Sequence, residues 1–247
     1  MLKFKTTPFF MLAACFFVTS LHASAVTIAR VVDPSNDVPV PASLREKLGQ
    51  CENVRAFVAL RNGDDIVVFN TVRDKPNSTD FMNNHPHLAL FHGGSRAFDL
   101  DAVNVAPSGP VRFHGMVVSP QANDSIAVIA AFTLGVNSAE TFFVFVGHDS
   151  KGYGVVAMLS GGQAQLRFNE ELSGSFELWA ADGQAAHEIE NQCVWCRKYY
   201  EATTYQFENG KLRKLSAWKS KQAYEPEAFY QKPFALSSGN LGRVPTP

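Results

Sequence analysis

Short runs rich in β-branched and aromatic residues recur along most of this chain, and residues typical of turns separate them. Such runs are typical of strands, and the Asn62-Gly63 pair between the first two is a strong signal for a tight hairpin. The ten runs cover residues 54–60, 66–72, 111–119, 125–134, 141–146, 153–159, 163–168, 175–179, 199–207 and 211–215. We therefore predict an all-β chain, an antiparallel meander that forms a β-sandwich or propeller-like stacked sheets.

Several of these runs are apolar throughout instead of alternating with polar residues. Residues 126–132, with the sequence IAVIAAF, are an example. In a strand with one face in water, apolar and polar residues alternate, whereas a strand covered on both faces can be apolar throughout. This pattern favours sheets that stack on one another over a single open sheet.

Little of the chain has helical character. A short helix is predicted over residues 41–49, because Pro41 lies near its start and Gly49 at its end, and a second is predicted near residues 225–230. Residues 73–96 carry no strand signal and are long for a loop in a compact domain, so we predict a loop there that is either functional or disordered.

The N-terminus resembles a secretory signal peptide. Lys3 and Lys5 precede an apolar run over residues 9–21, and small residues at 23–25 form a cleavage site of the A-x-A type. We therefore expect a periplasmic or secreted protein with no membrane span in its mature part, since neither this apolar run nor any later segment reaches the roughly 20 residues that a span needs. A lipoprotein anchored through Cys15 is the alternative, since residues 12–15 resemble a lipobox.

These observations divide the chain into four parts. Residues 1–25 are the predicted signal peptide, 26–53 a lead-in with the short helix, 54–232 a single β-rich domain, and 233–247 a flexible tail of small residues.

Charge and cysteine content narrow the functional classes. The formal net charge is −1, and losing Lys3 and Lys5 makes it only slightly more negative, so bulk binding of nucleic acid is not expected. Cys51, Cys193 and Cys196 remain after cleavage, and an oxidising exterior favours one disulfide among them. The Cys193-x-x-Cys196 spacing also allows a redox or zinc role, but a bridge that holds this loop, either locally or to Cys51, is the favoured interpretation.

Four histidines lie within a short stretch of the chain, at His85, His87, His92 and His114. If Pro86 keeps its neighbours extended, His85 and His87 point to the same side of the chain. Two such imidazoles, with His92, His114 or Met82 added, would make a zinc or copper site. The alternative is that these histidines are ordinary polar residues of a polar loop.

The stretch of residues 197–221 combines seven basic residues with only two acidic ones, and with aromatic residues. The aromatic residues are Tyr199, Tyr200, Tyr205 and Trp218. A groove of this composition could hold an anionic envelope polymer by charge and stacking. A solvated basic strand face whose aromatic side chains point into the core explains the same residues.

Residues 176–207, FELWAADGQAAHEIENQCVWCRKYYEATTYQF, resemble uncharacterised secreted bacterial proteins related to the FG-GAP and VCBS β-repeat families. Those families carry calcium-binding loops of DxDxDG type, and this sequence has none. The nearest stretch, Asp99-Leu100-Asp101-Ala102, lacks the third acid and the glycine. The resemblance implies a propeller-like arrangement of sheets and no particular activity.

We therefore predict first a non-enzymatic binding or interaction module of the cell envelope, with an unknown protein or an envelope polymer as its partner. Its contact surface would be the loop of residues 73–96 or the basic stretch of residues 197–221. A periplasmic protein that binds zinc or copper through the His85-Pro86-His87 segment is the second hypothesis. A hydrolase is the third, although no catalytic residue can be assigned from a spacing in the sequence.

Overall fold

The computed structural model of the protein describes residues 30–60, 63–71, 85–105, 110–119, 126–134, 140–149, 151–168, 175–182, 196–208, 211–236 and 243–245. The strands are β1 Arg30–Val32, β2 Cys51–Ala59, β3 Asp65–Thr71, β4 His85–His92, β5 Ser95–Asp101, β6 Val111–Val118, β7 Val128–Leu134, β8 Glu140–Asp149, β9 Gly152–Gly162, β10 Gln165–Phe168, β11 Ser175–Ala181, β12 Tyr200–Glu208, β13 Lys211–Ser220, β14 Phe234–Leu236 and β15 Arg243–Pro245. The helices are α1 Ala42–Lys47 and α2 Glu227–Tyr230. The predicted signal peptide lies outside the described residues.

The strands form three sheets. The N-terminal sheet has the order β2-β3-β4-β5, the central sheet β1-β6-β7-β8-β9, and the C-terminal sheet β14-β10-β11-β12-β13-β15. Neighbouring strands pair antiparallel, except that β14 runs parallel to β10. Most pairs are formed by strands adjacent in the sequence, as a meander requires. The predicted all-β fold of stacked sheets is confirmed.

The central sheet lies between the other two, and its apolar strands explain why. On one face, Val128 and Val144 pack with Ile66 and Leu88 of the N-terminal sheet. On the other, Ile129, Phe143 and Phe145 belong to a second cluster, which includes Leu166 and Phe176 of the C-terminal sheet. Because both faces are covered, alternate residues of β7 are equally buried, as predicted from the apolar run 126–132.

Each outer sheet is covered by a short helix. Leu44 of α1 and the following Leu48 pack on Phe69 and Phe91, on the outer face of the N-terminal sheet. Phe229 of α2 packs on the outer face of the C-terminal sheet against a set of aromatic residues that we call the outer aromatic cluster. Its members are Trp179, Tyr200, Trp218, Tyr224 and Phe229. Both helices lie where the sequence predicts them.

Two segments differ from their predictions. The segment 73–96 is not one long loop, because β4 occupies residues 85–92 and β5 begins at Ser95. Leu88, Ala89, Leu90 and Phe91 are buried, and Pro86 lies next to the start of β4, where a strand tolerates proline. The predicted tail of residues 233–247 contains β14 and β15, and Phe234 is buried in the second core cluster. Within the described residues, no helix is long and apolar enough to cross a membrane.

Candidate functional site

The four histidines of the predicted metal site lie at separate places. His85 and His87 lie near the start of β4, His92 lies at its other end, and His114 lies on β6. In the part of the chain that the structure describes, no three histidine, cysteine, aspartate or glutamate side chains come together as ligands for a metal ion. His85, His87, His92 and His114 therefore belong to no such group among the described residues, and Met82, the further ligand considered, lies outside them.

His87 forms part of a polar contact on the outer face of the N-terminal sheet. Its Nδ1 lies 3.2 Å from Oδ1 of Asp99, and its ring stacks on Phe69 with 5.3 Å between the ring centroids. Arg96 donates to the other oxygen of Asp99 at 2.7 Å. Burial by itself would raise the pKa of Asp99, but the hydrogen bond and charge of His87, together with Arg96, lower it. These contacts are those of a residue that holds β4 against β5.

His114 is a partly buried histidine on β6. Its ring makes an edge contact with Tyr230, the last residue of α2, with 6.1 Å between the centroids. Burial lowers its pKa to about 4, and the charges of Arg112 and Arg55 act in the same direction. His114 is therefore neutral at neutral pH.

The low pKa of His114 makes stability depend on pH. Since the pKa falls from 6.5 to about 4 on folding, the unfolded chain binds more protons in this interval and stability falls as the pH is lowered through it. The loss from this residue is at most about 3 kcal/mol. We expect His114→Phe, which keeps a ring against Tyr230, to flatten the pH dependence of urea unfolding between these values. An unchanged slope would contradict this assignment.

Of the three cysteines that remain after the predicted cleavage, the structure describes Cys51 and Cys196. Cys51 is a free thiol at the start of β2, and burial raises its pKa. Cys196 is disulfide-bonded. A bridge to Cys51 is therefore not formed, and Cys193 lies outside the described residues.

The aromatic residues of the basic stretch are divided between core and surface. Tyr200 and Trp218 are buried in the outer aromatic cluster, whereas the exposed fraction of Tyr199 is 42%. Two of the basic side chains form ion pairs, Arg197 with Glu225 at 2.5 Å and Lys219 with Asp182 at 2.7 Å. Two of the four aromatic rings are thus unavailable to a polymer, which favours the interpretation of this stretch as a solvated strand face.

Three turns meet at one end of the N-terminal and central sheets, and we call this place the three-hairpin end. It comprises the turn between β2 and β3, the Gly93-Gly94 turn between β4 and β5, and the turn between β8 and β9. The carboxylate of Asp64, in the first turn, is 1% exposed. Oδ1 of Asp64 lies 2.6 Å from Nδ1 of His92, and the hydroxyl of Tyr153 donates to Oδ2 at 2.5 Å.

The three-hairpin end combines buried and accessible polar groups. The side chain of His92 is 70% exposed, although its partner Asp64 is buried. The pKa of Tyr153 is raised by burial and by its hydrogen bond to Asp64, so its hydroxyl keeps its proton and remains a donor. His148 packs edge-on against Tyr153, with 4.9 Å between the ring centroids. A buried carboxylate that orients an exposed imidazole is an arrangement suited to proton transfer.

A second feature begins at Tyr153, because β9 forms an edge of the central sheet. This strand has 11 residues, and none of them is charged or a proline. Val155 is 42% exposed and Met158 is 46% exposed. Proteins usually protect such edges with charges, proline, bulges or a covering segment, since an open edge pairs with other chains.

The other sheet edges in the described part of the chain are short, charged or covered. Strands β1, β14 and β15 have three residues each. β5 carries Arg96, Asp99 and Asp101. The lead-in covers the edge of β2, where the N–H groups of Ser35 and Val38 donate to backbone carbonyls at 3.0 and 2.8 Å. β9 is the long edge without charge, proline or a covering segment, and its register with β8 shifts once, at Val156.

The sequence interpretation included His92 but missed Asp64, Tyr153 and the edge of β9. The absence of charge over residues 152–162 is readable in the sequence, whereas its position at an edge is not. The chain matches no protein-family model, and neither a curated protein nor a solved structure is significantly similar to it.

Proposed function

We propose that this protein is an exported interaction module that assembles with a second copy of itself through antiparallel pairing of the two β9 strands. The observation that carries the proposal is the uncharged, 11-residue edge of the central sheet. Pairing along this edge would join two central sheets into one continuous sheet, in which backbone hydrogen bonds supply the affinity.

The composition of β9 suits a second copy as the partner. A two-fold axis places only the residues closest to it near their own counterparts, so a charged residue at the axis would face a like charge. β9 has no charged residue to create that repulsion. A partner strand of different sequence could be selected by opposite charge, and β9 offers no charge for such selection.

Met158 is the natural centre of this pairing. Its side chain is 46% exposed, and it lies opposite Val144 in the register with β8. A two-fold axis at Met158 buries both copies of this side chain and places Ala157 opposite Leu159 of the second copy. Ala157 and Leu159 both pack towards the C-terminal sheet, so opposed residues lie on the same face, as antiparallel pairing requires.

The start of β9 is held in place before any partner binds. Tyr153 is tied to the buried Asp64 through its hydroxyl, and Val155 and Gly154 pair with Val146 and Gly147 of β8. A strand that is already ordered loses less conformational entropy on binding, which favours association.

Met158→Lys is expected to abolish self-association, because the two lysines would lie side by side at the two-fold axis. The matched control is Leu215→Lys on β13, since Leu215 is 44% exposed and Met158 is 46% exposed. Sedimentation velocity over a dilution series would measure the mass of each variant. We expect concentration-dependent dimers for the unmodified protein and the control, and a monomer for Met158→Lys.

Hydrogen exchange identifies the surface that is used. The backbone N–H groups of β9 that point away from β8 should exchange more slowly at high protein concentration than at low concentration. A protein that stays monomeric throughout the series, or dimers that Met158→Lys leaves intact, would refute the proposal.

Export is the part of this proposal that rests on residues 1–25, with a lipid anchor at Cys15 as the alternative. A disulfide at Cys196 fits an oxidising compartment. The mass of the mature protein isolated from its host tests this part. Cleavage after Ala25 supports the secreted form, a lipidated Cys15 supports the anchored form, and an intact Met1 contradicts both.

A further inference from the structure

Asp64, His92 and Ser95 lie in one row across three neighbouring segments of the N-terminal sheet. Asp65 pairs with Phe91 in the register of β3 and β4, so the preceding Asp64 lies opposite His92. His92 in turn pairs with Ser95 in the register of β4 and β5. Directly opposed residues in antiparallel strands project to the same face, with their Cα atoms about 4.5–5.5 Å apart.

The first two members of the row already interact. Oδ1 of Asp64 lies 2.6 Å from Nδ1 of His92. Because the carboxylate is 1% exposed and the imidazole 70% exposed, the imidazole is held on its buried side while Nε2 remains free to meet solvent. A carboxylate at Nδ1 fixes the tautomer in which Nε2 is the base and stabilises the imidazolium that forms when Nε2 takes a proton.

The third member is brought to His92 by the Gly93-Gly94 turn. These glycines have φ values of 56° and 77°, a left-handed conformation that most other residues adopt only with strain. Two such residues make the tight turn that starts β5 directly opposite the end of β4. Ser95 is exposed, so its hydroxyl is accessible to a substrate.

We propose that Asp64, His92 and Ser95 form a nucleophilic serine site that accepts the acyl group of a carboxylic ester. The Ser95 hydroxyl attacks the ester carbonyl carbon while its proton passes to Nε2 of His92, and a C–O bond forms. The bond from this carbon to the leaving oxygen then breaks, and the leaving alkoxide takes the proton from His92. Water repeats both steps on the acyl-serine, which releases the carboxylic acid and restores the hydroxyl.

A fluorophosphonate is the probe for this site, because it transfers its phosphonyl group to an activated serine and releases fluoride. Intact-mass spectrometry of the full chain should show one added phosphonyl group, and peptide mapping should place it on Ser95. Ser95→Ala should remove the labelling. Ser216→Ala is the matched control, since Ser216 is also an exposed serine in a strand, β13, and should leave labelling unchanged.

His92→Gln tests the role of the imidazole. It should not destabilise the fold, because this side chain is 70% exposed. We expect the labelling rate to fall by about 10²–10⁴-fold, the usual contribution of a general base. Hydrolysis of p-nitrophenyl acetate should fall in parallel in both the Ser95→Ala and His92→Gln variants. No labelling of the unmodified protein, labelling that persists in Ser95→Ala, or an unchanged rate in His92→Gln would each overturn the proposal.

Discussion

Asp64→Ala is expected to destabilise the protein by about 3 kcal/mol, since removal of a buried carboxylate leaves its hydrogen-bond partners unpaired. The variant loses the contacts of Asp64 with His92 at 2.6 Å and with Tyr153 at 2.5 Å. It also leaves a small cavity beneath the three-hairpin end, because the side chain is 1% exposed. Urea unfolding monitored by circular dichroism measures the loss.

The neighbouring Asp65 is a matched control for this experiment. Burial and the charge of Asp64 raise the pKa of Asp65, which means that the fold disfavours its ionised form. Asp65→Ala should therefore change stability by no more than about 0.5 kcal/mol, as expected of a substitution without a lost partner. Tyr153→Phe removes the hydrogen bond from the Tyr153 hydroxyl to Asp64 and should cost about 1 kcal/mol. Equal effects for Asp64→Ala and Asp65→Ala would contradict the special role of Asp64.

Trp179→Ala is expected to lower the free energy of unfolding by about 4 kcal/mol, within the range for loss of a large aromatic side chain from a core. Trp179 is 1% exposed and meets the ring of Trp218 edge-on, with 4.6 Å between the centroids. The guanidinium of Arg167 lies 3.8 Å above the centroid of its ring. Its Nε1 donates to the buried Glu177 at 3.1 Å.

Two variants separate the contributions of Trp179. Trp179→Phe keeps an aromatic ring beneath Arg167 but loses the donor to Glu177, so it should cost less than Trp179→Ala. Tyr199→Ala is the surface control, because Tyr199 is 42% exposed and lies outside the outer aromatic cluster. Thermal unfolding of the three variants should show little change for Tyr199→Ala. A small effect of Trp179→Ala would mean that the cluster does not stabilise the C-terminal sheet.

The strands were predictable where their composition is distinctive. β2 and β3 pair antiparallel, as the Asn62-Gly63 signal predicted, and the run at residues 126–132 is buried on both faces. β4 was missed because His85, Pro86 and His87 obscure the apolar residues that follow them. Those residues are buried only because α1 and the central sheet cover opposite faces of the N-terminal sheet.

The candidate site was less predictable than the fold. The spacing of the histidines suggested convergence, but His87 and His92 lie on strand positions of opposite parity at opposite ends of β4. His92 instead meets Asp64, which is 28 positions away in the chain, and Tyr153 reaches the same carboxylate from 89 positions away. A pattern within a short stretch of sequence cannot predict contacts between residues so far apart in the chain.

The amino-acid sequence by itself determined the strand-rich composition, the positions of most strands and turns, the two short helices and the need to cover both faces of the apolar runs. These properties follow from the spacing of apolar residues and from backbone preferences, which act over a few neighbouring positions. Only the tertiary structure decided the order of the three sheets, the exposure of the β9 edge and the row of Asp64, His92 and Ser95. These features depend on the register between strands and on which surfaces pack together, and both are set by contacts between residues far apart in the chain.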